Sequence, residues 1–199
     1  MTWVRDLKKR IKYYDETSVK PPSLFLEQAL RYANGTTAID LGCGSGSDTK
    51  EMARQGFKVI AVDINKEVAN YFSKKDRDRI KLVIQPVEDF KFVRCDFIYA
   101  KSSLVFLSPK KFRKVAMEIK KSLKPGGVFA ARLWGKKDSD NKSRKNYKYT
   151  FLGIEELKAI FDGYDFLAVN EHEEDKACAD GRDKHWHFLD VIIKKTQEV

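Results

Sequence analysis

A chain of 199 residues, 42% hydrophobic and 34% charged, has the size and balance of one domain built around a single apolar core. No apolar run approaches the roughly 20 residues that a membrane-spanning helix needs, and the polar, basic N-terminus develops no secretory-signal stretch, so a cytoplasmic protein without a membrane partner is expected. The net charge of +10 admits a polyanionic partner, but Lys8-Lys9-Arg10, Lys74-Lys75, Lys110-Lys111 and Lys120-Lys121 alternate with Asp6, Asp76, Glu118 and the acids between Glu171 and Asp175, the pattern of a solvated surface.

In chain order, a charged N-terminal arm runs to Pro21-Pro22-Ser23, and Leu24, Phe25, Ala29 and Leu30 then repeat at helical spacing up to Asn34-Gly35. This arm and first helix (1–35) precede an α/β core (36–199) within one domain. Ala38-Ile39-Asp40-Leu41 reads as a buried strand, followed by a glycine loop and a helix over 48–55 that Gly56 closes. Lys58 to Val62 is the second strand, ending at Asp63; Asn65 caps a helix carrying Val68 and Phe72, and Ile80 to Ile84 is the third strand. Asp96 to Ala100 is the fourth. Ser108-Pro109 opens a helix with Phe112, Val115, Ala116, Ile119 and Leu123 on one stripe, which Pro125-Gly126-Gly127 stops before a fifth strand at Val128 to Ala131. The polar segment 136–149 reads as a loop, 154–161 as a short helix, and 166–172 and 185–193 as two late strands. Alternating strands and helices predict a doubly wound, mostly parallel sheet that binds ligands beyond the carboxyl ends of its strands.

The glycine loop carries the chemistry. Its spacing, Gly42-Cys43-Gly44-Ser45-Gly46, differs from the G-x-G-x-x-G of dinucleotide sites, and no Walker lysine follows. Asp40, just before it, would repel a pyrophosphate but suits a ligand bearing an ammonium and a sulfonium. Asp63, ending the next strand, stands where a carboxylate accepts both hydroxyls of a ribose.

Through Ala38-Ile39-Asp40-Leu41-Gly42-Cys43-Gly44-Ser45-Gly46, Val62-Asp63 and Leu123-Lys124-Pro125-Gly126-Gly127, the chain resembles the class I S-adenosylmethionine-dependent methyltransferases. The resemblance implies a Rossmann-like, seven-stranded, mostly parallel sheet whose last strand is antiparallel, with S-adenosylmethionine as cofactor and S-adenosylhomocysteine as product. It further implies that Gly42, Cys43 and Gly44 pass under the methionine part and that Asp40 holds its amino group. Asp63 would take the ribose, Val87 and Glu88 would approach adenine, and Asp48, Thr49, Ile64 and Ala100 would also border the cofactor. Pro86 stands where many relatives have an Asp that reads the adenine amino group, and Glu88 is the substitute at hand.

A narrower similarity, through Tyr13, Tyr14 and Pro21-Pro22 with the tail from Lys184 to Phe188, is to the bacterial methyltransferases grouped with tellurite-resistance enzymes. It implies an N-terminal arm that closes over the cofactor and places Tyr13 or Tyr14 near the methyl.

A sulfonium is already a good leaving group, so alignment and exclusion of water carry the reaction and a base is optional. Candidates for one are Tyr14, Lys101, His185 and His187, and Tyr13, Tyr14, Ser102, His185 and His187 are candidates for touching the acceptor. The three cysteines, Cys43, Cys95 and Cys178, form no zinc spacing, and no metal is expected even with His172 beside the histidine pair. Ala100-Lys101-Ser102-Ser103 replaces the Asn/Asp-Pro-Pro-Tyr/Phe of base-amine methylation, which favours a small-molecule or oxyanion acceptor. The alternatives are RNA methylation, with Lys136, Lys137, Lys142, Arg144, Lys145 and Lys148 as the track and Tyr147 or Tyr149 as stacking platforms, and a non-catalytic cofactor-binding module.

Overall fold

The computed structural model describes residues 7–142, 149–178 and 181–196. The arm contains a helix, α1 (Leu7–Ser18), which the sequence pattern left unassigned. Next come α2 (Leu24–Leu30), β1 (Thr37–Leu41), α3 (Ser47–Arg54), β2 (Lys58–Asp63) and β3 (Ile80–Ile84). They are followed by β4 (Cys95–Lys101), α4 (Pro109–Ser122), β5 (Leu123–Gly135), β6 (Phe151–Leu152), α5 (Ile154–Ile160), β7 (Tyr164–Asp175) and β8 (His185–Lys195). Seven strands form a sheet in the order β3-β2-β1-β4-β5-β8-β7, and the two-residue β6 pairs with β5 off that path. β1 to β5 run parallel, while β8 is antiparallel to both β5 and β7. This is the doubly wound α/β methyltransferase topology expected above.

Local chemistry explains the elements. Ser23 caps α2 by accepting the Leu26 N–H at 3.2 Å. Ser108 caps α4, Pro109 supplies its preset first turn, and Phe112, Val115, Ala116 and Ile119 bury one stripe. That stripe and α5, through Leu157 and Phe161, pack on one sheet face over Ile39, Leu41, Ile98, Phe129 and Val191. On the other face α2 and α3 set Phe25, Leu26 and Met52 against Ala38, Ala61, Phe97 and Ala130.

Three expectations change. Residues 66–71 form a 3-10 helix rather than an α-helix: Asn65 does cap it, but the only buried residue in this six-residue turn is Val68, too little apolar stripe to wind more. Pro125-Gly126-Gly127 does not delay β5, which starts at Leu123 and absorbs these residues in a register shift opposite Cys95 and Phe97. The segment after β5 turns once into a 3-10 helix at Ser139–Lys142 instead of remaining loop throughout.

Candidate active site

The glycine loop leaves β1 at the carboxyl edge of the sheet. Gly42 adopts φ +80°, where a side chain would be strained and would also run into that of Ser103; its N–H and that of Cys43 both donate to the Val62 carbonyl, at 2.7 and 3.1 Å. Gly46, also left-handed, begins α3 where Phe72 leaves no room for a Cβ.

Three carboxylates close on this loop. Asp40, 3% exposed, accepts a 2.5 Å hydrogen bond from the Thr49 hydroxyl. Burial pushes it up to about 7; the Thr49 bond and Lys101 pull it down, and Asp48 and Asp63 add repulsion. Asp63 accepts the Gly44 N–H at 3.0 Å and the Asn65 N–H at 2.9 Å, so the carboxylate is locked at the end of β2. Asp48 accepts the Ser23 N–H at 2.7 Å and the Tyr99 hydroxyl at 3.0 Å, and pairs with Lys101 Nζ at 2.8 Å.

Burial, with Asp40 and Asp63 adding to it, drives the Cys43 thiol far up, so it is neutral packing under the loop. Ile64 is exposed and Ala100 buried, and Val87 is half-buried in a 3-10 turn after β3. Glu88 is ion-paired to Lys111 Nζ at 2.7 Å.

α1 lies across the loop. The Tyr14 ring is buried, 3.5 Å from where a Gly44 Cβ would stand, and Thr17 bonds Ser45 and accepts from Ser47 Oγ, both at 2.9 Å. Tyr13 is 40% exposed, and its phenol is raised by burial and by Asp48. Ser102, at the end of β4, is the single non-glycine with positive φ among the described residues, at +56°, a strained backbone of the kind that clusters at functional sites.

The histidines lie elsewhere. On β8 they share the face of Leu189, whereas Lys101 and Arg132, cross-strand partners, face the opposite side with Tyr99. His185 is clasped by Asp175 at 2.8 Å and Glu173 at 3.0 Å, which raise its pKa. His187, 3% exposed, accepts the Lys137 backbone N–H on Nδ1 at 3.0 Å and meets Glu171 at 2.7 Å through Nε2. Because Nδ1 is the acceptor, Nε2 carries the proton and donates to Glu171, leaving no nitrogen lone pair for a proton or a metal. That applies although Glu171, Glu173 and His187 bring ligand atoms within 4.8 Å of one another; His172 is not in this group and packs on Phe188 instead. Lys101 is likewise engaged, as an ammonium held by Asp48.

The sequence pattern did not reveal Ser23, Tyr99 or Arg132. A tyrosine amid an apolar strand was the available signal, since a buried phenol needs a partner, and Tyr99 bonds Ser23 Oγ and Asp48. Arg132 forms a bidentate pair with Asp190 at 2.7 and 2.6 Å. Beyond it lies a second surprise: Lys184 Nζ sits 3.8 Å from the Trp134 ring centre and 4.0 Å from that of Trp186, paired with Asp138 at 3.0 Å and Asp140 at 2.7 Å.

Residues 38–127, spanning the loop and the first five strands' start, match the family model of a methyltransferase domain. Over that segment the chain is similar to the methyltransferase-domain family, and its motifs are those of the resemblance described above. It is 33% identical to the cypemycin N-terminal methyltransferase of a Streptomyces species over 102 residues, 49% of this chain and 42% of that relative. It spans less than half the length of the curated methyltransferases it matches. The fold is similar to that of TehB from Haemophilus influenzae (TM-score 0.75, 18% identity, 94% of this chain and 67% of that one). It is similar also to the N-methyltransferase NodS from Bradyrhizobium japonicum in complex with S-adenosylhomocysteine (TM-score 0.63, 14% identity, 94% of this chain and 98% of that one).

The residues around this loop fit the cofactor that the resemblance implies. A cluster of three carboxylates with Lys101 as cationic partner suits a ligand that brings an ammonium and a sulfonium, and would repel a pyrophosphate. Buried Asn65 Nδ2 finds no acceptor among the described residues and is a spare donor beside Asp63 for a hydroxyl-bearing ligand.

Proposed function

We propose that this chain transfers a methyl group from S-adenosylmethionine to a small-molecule or metalloid acceptor by in-line displacement at the sulfonium methyl. The observation that carries the reading is the carboxylate cluster around the Gly42–Gly44 turn. S-adenosylmethionine supplies an activated methyl, so the protein's task is to bind, align and keep out water. Asp63 and Asn65 would hold the ribose, Asp40 and the loop amides the methionine end, and Tyr14 on α1 the water-free lid. On the acceptor side stand Ser102, Tyr13 and the Lys101–Arg132 row, whose cations are paired with Asp48 and Asp190 and so favour a polar acceptor by hydrogen bonding rather than by free positive charge. Of the base candidates, Lys101, His185 and His187 offer no unengaged lone pair, which leaves Tyr14 on α1 as the one beside the glycine loop.

Of the RNA track, Lys136 is tied to Glu156 at 3.0 Å and Lys137 to Glu173 at 2.6 Å, while Tyr149 packs against Phe106 and Trp134; Arg144, Lys145, Tyr147 and Lys148 lie outside the described residues. The test is transfer of labelled methyl to a panel of small amines, thiols, metalloid oxyanions and RNA. Label in a small acceptor supports the proposal; label in RNA alone, or donor binding without transfer, replaces it with one of the other two readings.

A further inference from the structure

The amino ends of β1, β2 and β3, opposite the glycine loop, carry a second feature. β3 joins β4 through residues 85–94, which contain only the 3-10 turn Val87–Asp89 where a parallel crossover ordinarily carries a helix. Val87, Phe90 and Phe92 of this connection pack on the core, but no helix covers the sheet face beside α4 at this corner. A cavity of about 280 Å³ opens there, floored by half-buried Ile60 above the fully buried Ile39 and walled by Val93, which is 48% exposed. That volume lies near the low end of the roughly 300–1,000 Å³ typical of ligand sites.

Its charge is unusual for this molecule. Strand register pairs Val59 with Ile80 and Ile60 with Lys81, so Lys58 and Lys81 share the face of Ile60, and Arg79 just before β3 stands beside Lys58 with Nη1 donating to the Gly56 carbonyl at 2.9 Å. Arg77 and Arg94 complete the rim. Like charges set directly across strands are destabilising. Several cations elsewhere are matched, Lys101 by Asp48, Lys111 by Glu88, Lys124 by Asp96 and Arg132 by Asp190, and what sets this corner apart is that five cations share one cavity rim. Among the described residues, no ion pair reaches Lys58, Arg77, Arg79, Lys81 or Arg94, and the nearby Asp96 is taken by Lys124 and the Thr36 and Thr37 amides. Asp78 is the one acid on the rim.

We propose that this corner is a binding site for an amphiphilic anion, a carboxylate on a short aliphatic tail, with the tail on Ile60 and Val93 and the head group between Lys58, Arg79 and Lys81. The aliphatic floor distinguishes it from a nucleic-acid surface, which would offer aromatic stacking platforms along a longer track. The site is at the opposite end of the strands from the glycine loop and does not depend on the methyltransferase reading.

The experiment titrates the full chain, isotope-labelled for amide NMR, with decanoate below its micelle concentration, alongside decanol, inorganic phosphate and polyuridylate. Decanoate should move amides of Ile60, Lys81 and Val93, with decanol and phosphate each at least tenfold weaker. Lys81→Glu and Lys58→Glu should each weaken decanoate at least tenfold while amide shifts away from the substituted strand and the urea unfolding transition, the controls for folding, show a folded chain. If a charge-reversed chain does not fold, Lys81→Gln carries the same test with about a threefold effect. Shifts confined to other residues, decanol binding as well as decanoate, polyuridylate or phosphate binding as tightly at these amides, or indifference to all these substitutions would overturn the proposal.

Discussion

The two ends of the sheet treat charge in opposite ways. At the carboxyl edge acids and bases are matched, Lys101 with Asp48, Arg132 with Asp190, and Lys184 with Asp138 and Asp140, around the turn where a cationic cofactor fits. At the amino edge Lys58, Arg79 and Lys81 stand together without a carboxylate partner among the described residues. A net charge of +10 therefore describes no part of the molecule well: the sign that matters is local, and the glycine-loop end is acidic where the whole is basic.

Four changes would sharpen or break this contrast. The largest effect belongs to the matched end: Lys184→Met leaves the fully buried Asp138 carboxylate without its ammonium, and should cost about 3–5 kcal/mol of unfolding free energy in urea. A loss below about 1 kcal/mol would mean the pair is not held as described.

Asp63→Ala comes next, and should weaken S-adenosylhomocysteine by about 1–3 kcal/mol through lost charged hydrogen bonds, read by calorimetry. Unchanged affinity would remove the ribose role.

Asp40 gives a pH signature. Its folded pKa, pushed up to about 7, lies above the ordinary carboxylate value of 3.8, so the native state binds a proton that the unfolded chain has released. Stability should decline as pH rises from about 4 to about 7, by up to about 1.4 kcal/mol per pH unit, and level off beyond. Cofactor affinity should move the other way over the same window, because a cation favours the ionised carboxylate. Asp40→Asn should flatten both curves, and a slope that survives it assigns the titration to another group.

The smallest effect is a gain: Lys81→Glu, set beside Lys58 and Arg79, should raise stability by about 0.2–1 kcal/mol, and a loss would show that these cations do not repel.

What could be read from the residues followed local rules. β2 ends at Asp63, β3 runs from Ile80 to Ile84 and α4 starts at Ser108-Pro109 because alternation, caps and proline each act within a few positions. The glycine loop was legible for the same reason. The base candidates were placed by residue type, and their engagement depends on partners far along the chain: His187 on the Lys137 amide and Glu171, Lys101 on Asp48. Lys184 is the extreme case, since its two acids and Trp134 lie more than forty positions earlier and share no period with it. α1 escaped because its turns rest on tertiary contact, Tyr14 and Thr17 against the loop, more than on an apolar stripe of its own.

Two of the chain's three tryptophans flank one ammonium. Their indoles are thus built-in optical gauges of whether residues 138–140 remain docked on β8. A positive charge lying against the rings shifts their emission, so release of Asp138 and Asp140 would be visible as a change of colour without any attached dye.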